Sequence, residues 1–291
     1  MRPIRPAAAL AVVLTLAACT DTGTGARPEE PALSHAAEGY ATRGPVHTGW
    51  ILDRSGAPLE VVYEVQHGHA IWEGDIDLGP AEWISRTAEE ARTRRTDAGA
   101  RLGVAIDGSS YRWSGGVVPY VIQSSLPNKA RVTDAMAHIV ANTNKISFVQ
   151  RTTQANYVEF RTSTGCSSSV GRVGGRQYVN LADGCSTGNT IHEILHALGM
   201  YHEQTRCDRD TFVTIHTANI TSGYEHNFTK KCTGASDYSS YAEGSIMHYG
   251  PFAFSKNGLA TISSKRGLDS QMGQRSGMNS TDRSTINTLY P

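Results

Sequence analysis

His192-Glu193-Ile194-Leu195-His196-Ala197-Leu198-Gly199-Met200-Tyr201-His202-Glu203 is the stretch from which the fold can be read. Side chains four residues apart share a helical face, so His192 and His196 offer two imidazoles to one point while Glu193 projects toward the same cleft. Gly199 tolerates the left-handed backbone that ends a helix, which lets the chain turn sharply and bring His202 round as a third ligand. Three neutral imidazoles with an open fourth position describe a catalytic zinc site, not a structural one. The five-residue H-E-x-x-H portion alone is also what an amphipathic helix with two surface histidines would show. The third histidine across a glycine removes that reading.

Downstream, Ser245-Ile246-Met247-His248-Tyr249 follows a polar, glycine-containing run, and Met247 can supply an apolar floor beneath the imidazoles. The long histidine pattern followed by such a methionine turn is the metzincin signature. Glu203 directly after the third histidine and Tyr249 two residues after the methionine narrow the match, and the chain resembles the astacin family of zinc metallopeptidases. Trp113-Ser114-Gly115-Gly116-Val117-Val118-Pro119-Tyr120 is similar to the start of that catalytic domain, and Ile286-Asn287-Thr288-Leu289-Tyr290 to its end, so roughly the last two-thirds of the chain is covered.

The resemblance implies an α+β fold with a two-lobed metzincin catalytic domain. A twisted mixed sheet and helices form the upper lobe, the lower lobe is irregular, and one Zn2+ per catalytic domain lies in the cleft between. The implied reaction is hydrolysis of internal peptide bonds in proteins. Glu193 would carry the proton from water to the leaving amine. Tyr249 would be a metal ligand at rest and a donor to the developing oxyanion. Glu203 would meet the buried amino terminus of the mature enzyme.

Lysine plus arginine and aspartate plus glutamate balance at 27 each, which gives no push toward nucleic acid or acidic membranes. The 39% hydrophobic content is ordinary, and the catalytic portion is long enough to bury one core. Arg2 and Arg5 precede an uncharged apolar run from Pro6 to Ala18, too short to span a bilayer and shaped as a secretory signal. Its end, Leu16-Ala17-Ala18-Cys19, is similar to a bacterial lipoprotein box, which implies lipidation of Cys19 and an anchor at the cell envelope; an ordinary signal peptide is the other reading. Five cysteines is an odd number for an exported chain. Setting Cys19 aside leaves an even set suited to an oxidising compartment. Cys166 with Cys185 matches an astacin disulfide. The family's second bridge lacks its early partner, since Lys145 stands near that position, and Cys207 and Cys232 are then left to pair with each other.

Thr20 to Glu38, rich in Thr, Gly, Pro and Glu, reads as a flexible tether. Trp50-Ile51-Leu52 and the alternating Leu59 to Val65 run read as strands. Ile71-Trp72-Glu73-Gly74-Asp75-Ile76 is similar to the F-x-G-D element of astacin propeptides, with Trp72 for Phe. That likeness implies that Asp75 takes the fourth zinc position in a latent form; a Gly-Asp turn between strands is the plain alternative. Pro80 to Arg95 reads as a short exposed helix with a basic end. The expected organisation is a signal peptide over 1–18, tether and inhibitory propeptide over 19–103, and catalytic domain over 104–291, with the cut near Val104 or at Arg101.

Within the catalytic part, Val132, Ala135, Met136, Ile139 and Val140 mark a core-packing helix over Pro127 to Asn144, with His138 at the surface. Phe148 to Gln150 and Tyr157 to Phe160 read as strands, and Gly165 to Gly175 with Gln177 to Leu181 as the edge above the cleft, where an extended peptide can add. Asn189 or Thr190 should cap the zinc helix. Lys265, Arg266 and Gln271 to Arg275 are expected near a pocket wall, favouring acidic substrates. Expected partners are protein or peptide substrates, an activating protease and a membrane through Cys19, with the chain a monomer. A different class of function, a surface-anchored binding lipoprotein with a vestigial zinc site, competes with the peptidase.

Overall fold

The structure, a computed structural model, describes residues 45–53, 56–94 and 109–291. The signal-like run, Cys19, the tether and the expected cut at Arg101 or Val104 lie outside the described residues.

Alternating apolar residues make the first described segment a meander. Strands β1 (Val46–Leu52), β2 (Pro58–Gln66), β3 (His69–Trp72) and β4 (Ile76–Pro80) pair antiparallel in succession. The Pro80 to Arg95 helix is shorter than its composition suggests. Pro80 closes β4, and only α1 (Ala88–Arg94) is an α-helix, with Ala91 buried.

The rest of the upper lobe runs β5 (Val117–Ile122), α2 (Ala130–Asn142), β6 (Ser147–Gln150), β7 (Tyr157–Thr162), β8 (Ser167–Ser168), β9 (Arg176–Leu181) and α3 (Thr187–Leu198). Strands β6, β5, β7 and β9 are parallel, β8 returns antiparallel to β9, and β4 joins β8 in parallel. The described residues thus share one nine-stranded mixed sheet in the order β1-β2-β3-β4-β8-β9-β7-β5-β6. The edge expected above the cleft is therefore covered by β4.

Helix α2 buries Val132, Ala135, Met136 and Ile139 against the sheet and α3, but Val140 is 46% exposed because the helical turn carries it past the apolar stripe. His138 is not a plain surface residue: it is half-buried and its Nε2 accepts the Met278 N–H at 3.1 Å. Arg131, 2% exposed, donates to the carbonyls of Ala182 and Cys185 at 2.6 and 2.7 Å. It thereby holds the loop closed by the Cys166–Cys185 disulfide.

The lower lobe is built from short 3-10 turns, a two-stranded ribbon of β10 (Val213–Ile215) and β11 (Ile262–Ser264), and α4 (Ser280–Leu289). Tyr224, Phe228, Tyr249 and Phe254 form its aromatic core, and the Cys207–Cys232 bridge ties its first loop. Both ends of the 109–291 region pack on the end of α3. The Trp113 indole donates to Ala197 O at 2.9 Å and the Tyr290 hydroxyl to Leu198 O at 2.9 Å. No described helix is long and apolar enough to cross a membrane.

Candidate metal centre

Helix α3 delivers two of the three histidines, and its start is set by a capping box at Ser186. Its hydroxyl accepts the Asn189 N–H at 3.1 Å while Asn189 Oδ1 accepts the Ser186 N–H at 2.9 Å. The expected caps Asn189 and Thr190 therefore lie inside the helix; Asn189 is the third-position partner of the cap. Gly199 ends the helix at φ 111°, and its N–H donates to His196 O at 2.7 Å. That left-handed step swings the chain so that His202 faces His192 and His196.

The three rings are buried and converge through Nε2. His192 and His196 Nε2 are 3.1 Å apart, and the ring centroids of the three pairs lie 4.6 to 5.4 Å from one another. Each Nδ1 has an acceptor: Ile246 O for His192 at 2.8 Å, Met200 O for His196 at 2.8 Å, and Glu73 Oε2 for His202 at 3.3 Å. Donation from Nδ1 fixes the tautomer and leaves every Nε2 with a lone pair facing inward. Burial, aided by Arg275 and His196, pushes the His192 imidazole down to about 3, and burial also lowers His196. Both stay neutral. Met247 lies fully buried in the same core.

Asp75 completes the set from the far end of the chain. Its Oδ2 lies 3.1 Å from His192 Nε2, and its Oδ1 lies 3.0 Å from His202 Nε2 and 3.6 Å from His196 Nε2. The ligand atoms of Asp75, His192, His196 and His202 fall within 4.8 Å of one another. Two buried oxygens, Asp75 Oδ1 and Glu193 Oε2, have no hydrogen-bond donor. With each Nδ1 donating, three inward-facing lone pairs meet a carboxylate, a set that a bound cation stabilises. Three imidazoles and one carboxylate are a zinc donor set.

Asp75 is aimed by its neighbours. The Ser168 N–H donates to Asp75 O at 2.9 Å, and the Ser169 hydroxyl to Asp77 O at 2.9 Å, so the β4–β8 link fixes its depth. Gly74 at φ 80° makes the turn into the site. The Tyr249 hydroxyl donates to Glu73 O at 2.7 Å, and its ring lies 4.6 Å from that of His202. In this arrangement the Tyr249 hydroxyl is engaged by the N-terminal segment, a bond that the expectation of a resting metal ligand did not include.

Glu193 is 2% exposed, and burial together with the Asp75 charge pushes its carboxyl well up against the pull of Arg275. Glu203 accepts the Ala242 N–H at 3.0 Å beside a cavity of about 60 Å³ that also reaches Arg206, Asp237 and Tyr238, and burial raises its carboxyl to about 8. Of the basic residues expected at a pocket wall, Lys265 and Arg266 are engaged, while Nε and Nη2 of Arg275 are buried without a hydrogen-bond partner. Arg266 is held by Glu243, Lys265 donates to Asp210 O, and Arg275 donates to Ile246 O at 3.0 Å. Sequence reasoning missed two features: Asp282, which braces the methionine turn, and Lys231, which pairs with Glu73. Both lie far in sequence from what they touch. Only the buried carboxylate in the x position of the Trp72-Glu73-Gly74-Asp75 element could have hinted at the second.

A two-lobed α+β fold with three histidines from a glycine-ended helix, over a methionine turn, defines a metzincin-type zinc centre. Residues 105–291 match the astacin peptidase family. Zinc metalloproteinase nas-15 of Caenorhabditis elegans is 34% identical over 251 residues, 81% of this chain and 44% of that protein. Blastula protease 10 of Paracentrotus lividus is 39% identical over 194 residues, 62% of this chain and 32% of its own. High choriolytic enzyme 1, a hatching enzyme zinc-protease of Oryzias latipes, is similar in structure with a TM-score of 0.59 at 38% identity, covering 64% of this chain and 98% of the solved one. The chain belongs to the astacin family of zinc metallopeptidases, and zinc is its cofactor. It spans less than half the length of the curated relatives it matches here. The two disulfides fit an exported protein.

Proposed function

We propose that the chain is a zinc-dependent endopeptidase that hydrolyses internal peptide bonds, made as a latent zymogen whose segment from 19 to 103 silences the domain from 104 to 291. The observation that carries this reading is the Asp75 carboxylate set among three imidazole Nε2 atoms beside the buried Glu193. His192, His196 and His202 would hold the ion in both forms, with Asp75 the fourth donor in the latent one. Bound zinc supplies Lewis-acid polarisation of the scissile carbonyl and a nucleophile at neutral pH.

The chain's own groups do the rest. Glu193 accepts a proton from the attacking water and returns it to the leaving amine. The Tyr249 hydroxyl, released from Glu73 O when the segment leaves, donates to the developing oxyanion. A substrate strand takes the edge of β8 that β4 covers, through main-chain hydrogen bonds that read little side-chain identity. Glu203 and the adjoining cavity receive the new amino terminus near Val104. The chain is exported, Cys19 is its lipid anchor, and the activating cut releases a soluble, monomeric enzyme. No observation favours a binding lipoprotein with a vestigial site.

The test is Glu193→Gln in zinc-loaded protein after limited proteolysis. Casein cleavage should fall by about three orders of magnitude or more, with zinc content unchanged. Full activity in that variant would sink the assignment.

A further inference from the structure

Tyr249 has two polar main-chain groups, and a buried side chain holds each of them. Its N–H donates to Gln204 Oε1 at 3.1 Å, and its carbonyl accepts the His248 Nδ1 proton at 2.6 Å. Facing a carbonyl, Nδ1 has to carry the imidazole proton, which leaves Nε2 a lone pair for the Tyr241 hydroxyl at 2.7 Å. Gln204, His248 and Tyr249 are fully buried and Tyr241 is nearly so, and away from water each of these bonds is stronger than at the surface.

Tyr241 and Gln204 are themselves held. The Tyr241 ring stacks on Phe212, with centroids 4.8 Å and planes 5° apart, and Arg266, paired with Glu243, donates to Tyr241 O at 3.2 Å. Next to Gln204, the Glu203 N–H donates to Met247 O at 3.0 Å, and Arg209 donates to Gln204 O at 3.0 Å. A line of contacts thus runs from the lower lobe to the main chain of Tyr249.

The Tyr249 hydroxyl donates to Glu73 O at 2.7 Å and has to reach a different partner once the N-terminal segment leaves. Gly250 follows directly, and a glycine lets the backbone beside it turn more freely than any other residue does. With its N–H and C=O both pinned, the backbone of Tyr249 stays in place, and the hydroxyl moves on an arc set by two side-chain torsions. A donor on a fixed arc meets the developing oxyanion without a search through backbone conformations.

We propose that His248 and Tyr241 are positioning residues for the Tyr249 hydroxyl, acting through the bonds from Tyr241 to His248 Nε2 and from His248 Nδ1 to Tyr249 O. Both nitrogens of His248 are committed to this task, so it is not a second proton carrier. The proposal rests on the latent-peptidase reading and on the role given there to Tyr249.

The test uses full-length zinc-loaded protein activated by limited trypsin cleavage and a quenched fluorescent peptide, with zinc content measured alongside. Tyr241→Phe keeps the stacking on Phe212 and removes only the hydroxyl; it should lower kcat about tenfold with KM and zinc content unchanged. His248→Leu should cost more, and His248→Asn, whose amide can donate to Tyr249 O from the place of Nδ1, should recover most of that loss. In a double-mutant cycle, Tyr241→Phe should change kcat by less than about twofold once Tyr249→Phe is present. A wild-type kcat in Tyr241→Phe, an equal loss in the Tyr249→Phe background, or a loss matched by zinc release overturns the proposal while leaving the peptidase reading intact. A Tyr249→Phe enzyme with wild-type kcat removes the role of Tyr249 and this proposal with it. A wild type that cleaves no peptide removes the peptidase reading itself and everything built on it.

Discussion

The Asp282 carboxylate, in the first turn of α4, accepts the main-chain N–H of Ile246 at 3.1 Å. Its other oxygen takes the Ser245 hydroxyl at 2.5 Å, and the same group closes the capping box of α4 through Asn279. Ile246 O in turn accepts the His192 Nδ1 proton at 2.8 Å. A helix cap near the C-terminus is thus two bonds away from orienting a metal ligand. Asp282→Ala leaves the buried Ile246 N–H, the half-buried Asn279 N–H and the Ser245 hydroxyl without this acceptor. It should cost about 2–4 kcal/mol and weaken zinc binding about tenfold or more. Thermal unfolding and competitive zinc titration read the two effects, and unchanged zinc affinity would show that His192 is oriented without this brace.

On the latent-peptidase reading proposed above, Asp75→Ala should make the uncut, zinc-loaded chain cleave peptides about tenfold faster or more, since that reading gives the fourth position to the Asp75 carboxylate. The assay needs a gel alongside to show that the chain is still full length. An uncut variant no more active than the wild type would overturn the role proposed for this carboxylate.

Cys207 and Cys232 close a loop across 25 residues of sequence. In the chain-entropy account such a bridge contributes about 3 kcal/mol. Replacing both cysteines by serine should lower the unfolding free energy by that order, as measured in urea. It should also loosen Lys231 beside the bridge, so proteolysis around residue 231 should speed up. A variant as stable as the parent would place the loop's order instead in Arg206, which donates to Ser239 O at 2.7 Å, and Arg209, which donates to Gln204 O at 3.0 Å.

Glu243 carries a pH dependence that can be assigned. Burial works to raise its carboxyl, but hydrogen bonds from Arg266 and Ser264 outweigh it and hold the group below its usual range. A carboxylate lowered in the folded state binds fewer protons there than in the unfolded chain, so its stabilisation is present above the unfolded value near 4.5 and is lost as pH falls through the folded one. Glu243→Gln should cost about 1 kcal/mol at pH 7 and make the acid limb of the stability curve shallower. Parallel acid limbs in the two proteins would assign the acid loss to other carboxylates.

The histidine spacing, the glycine after Leu198 and the methionine turn were legible in the sequence because each acts within a few residues, where helical periodicity and one left-handed step determine the geometry. The Asp75 element and both disulfide pairs were legible only through likeness to a family; the structure joins Cys166 to Cys185 and Cys207 to Cys232 as that likeness and its one departure implied. The acceptors that aim the imidazoles were not legible. Ile246 O lies 54 residues from His192, and a main-chain carbonyl carries no mark of residue type. Glu73 meets Lys231 across 158 residues, and either charge alone reads as solvated surface. Local order followed from sequence because its contacts are near in the chain. The tautomers, the covered strand edge and the buried ion pair were decided by tertiary packing, which brings distant groups out of water and forces each to find a partner.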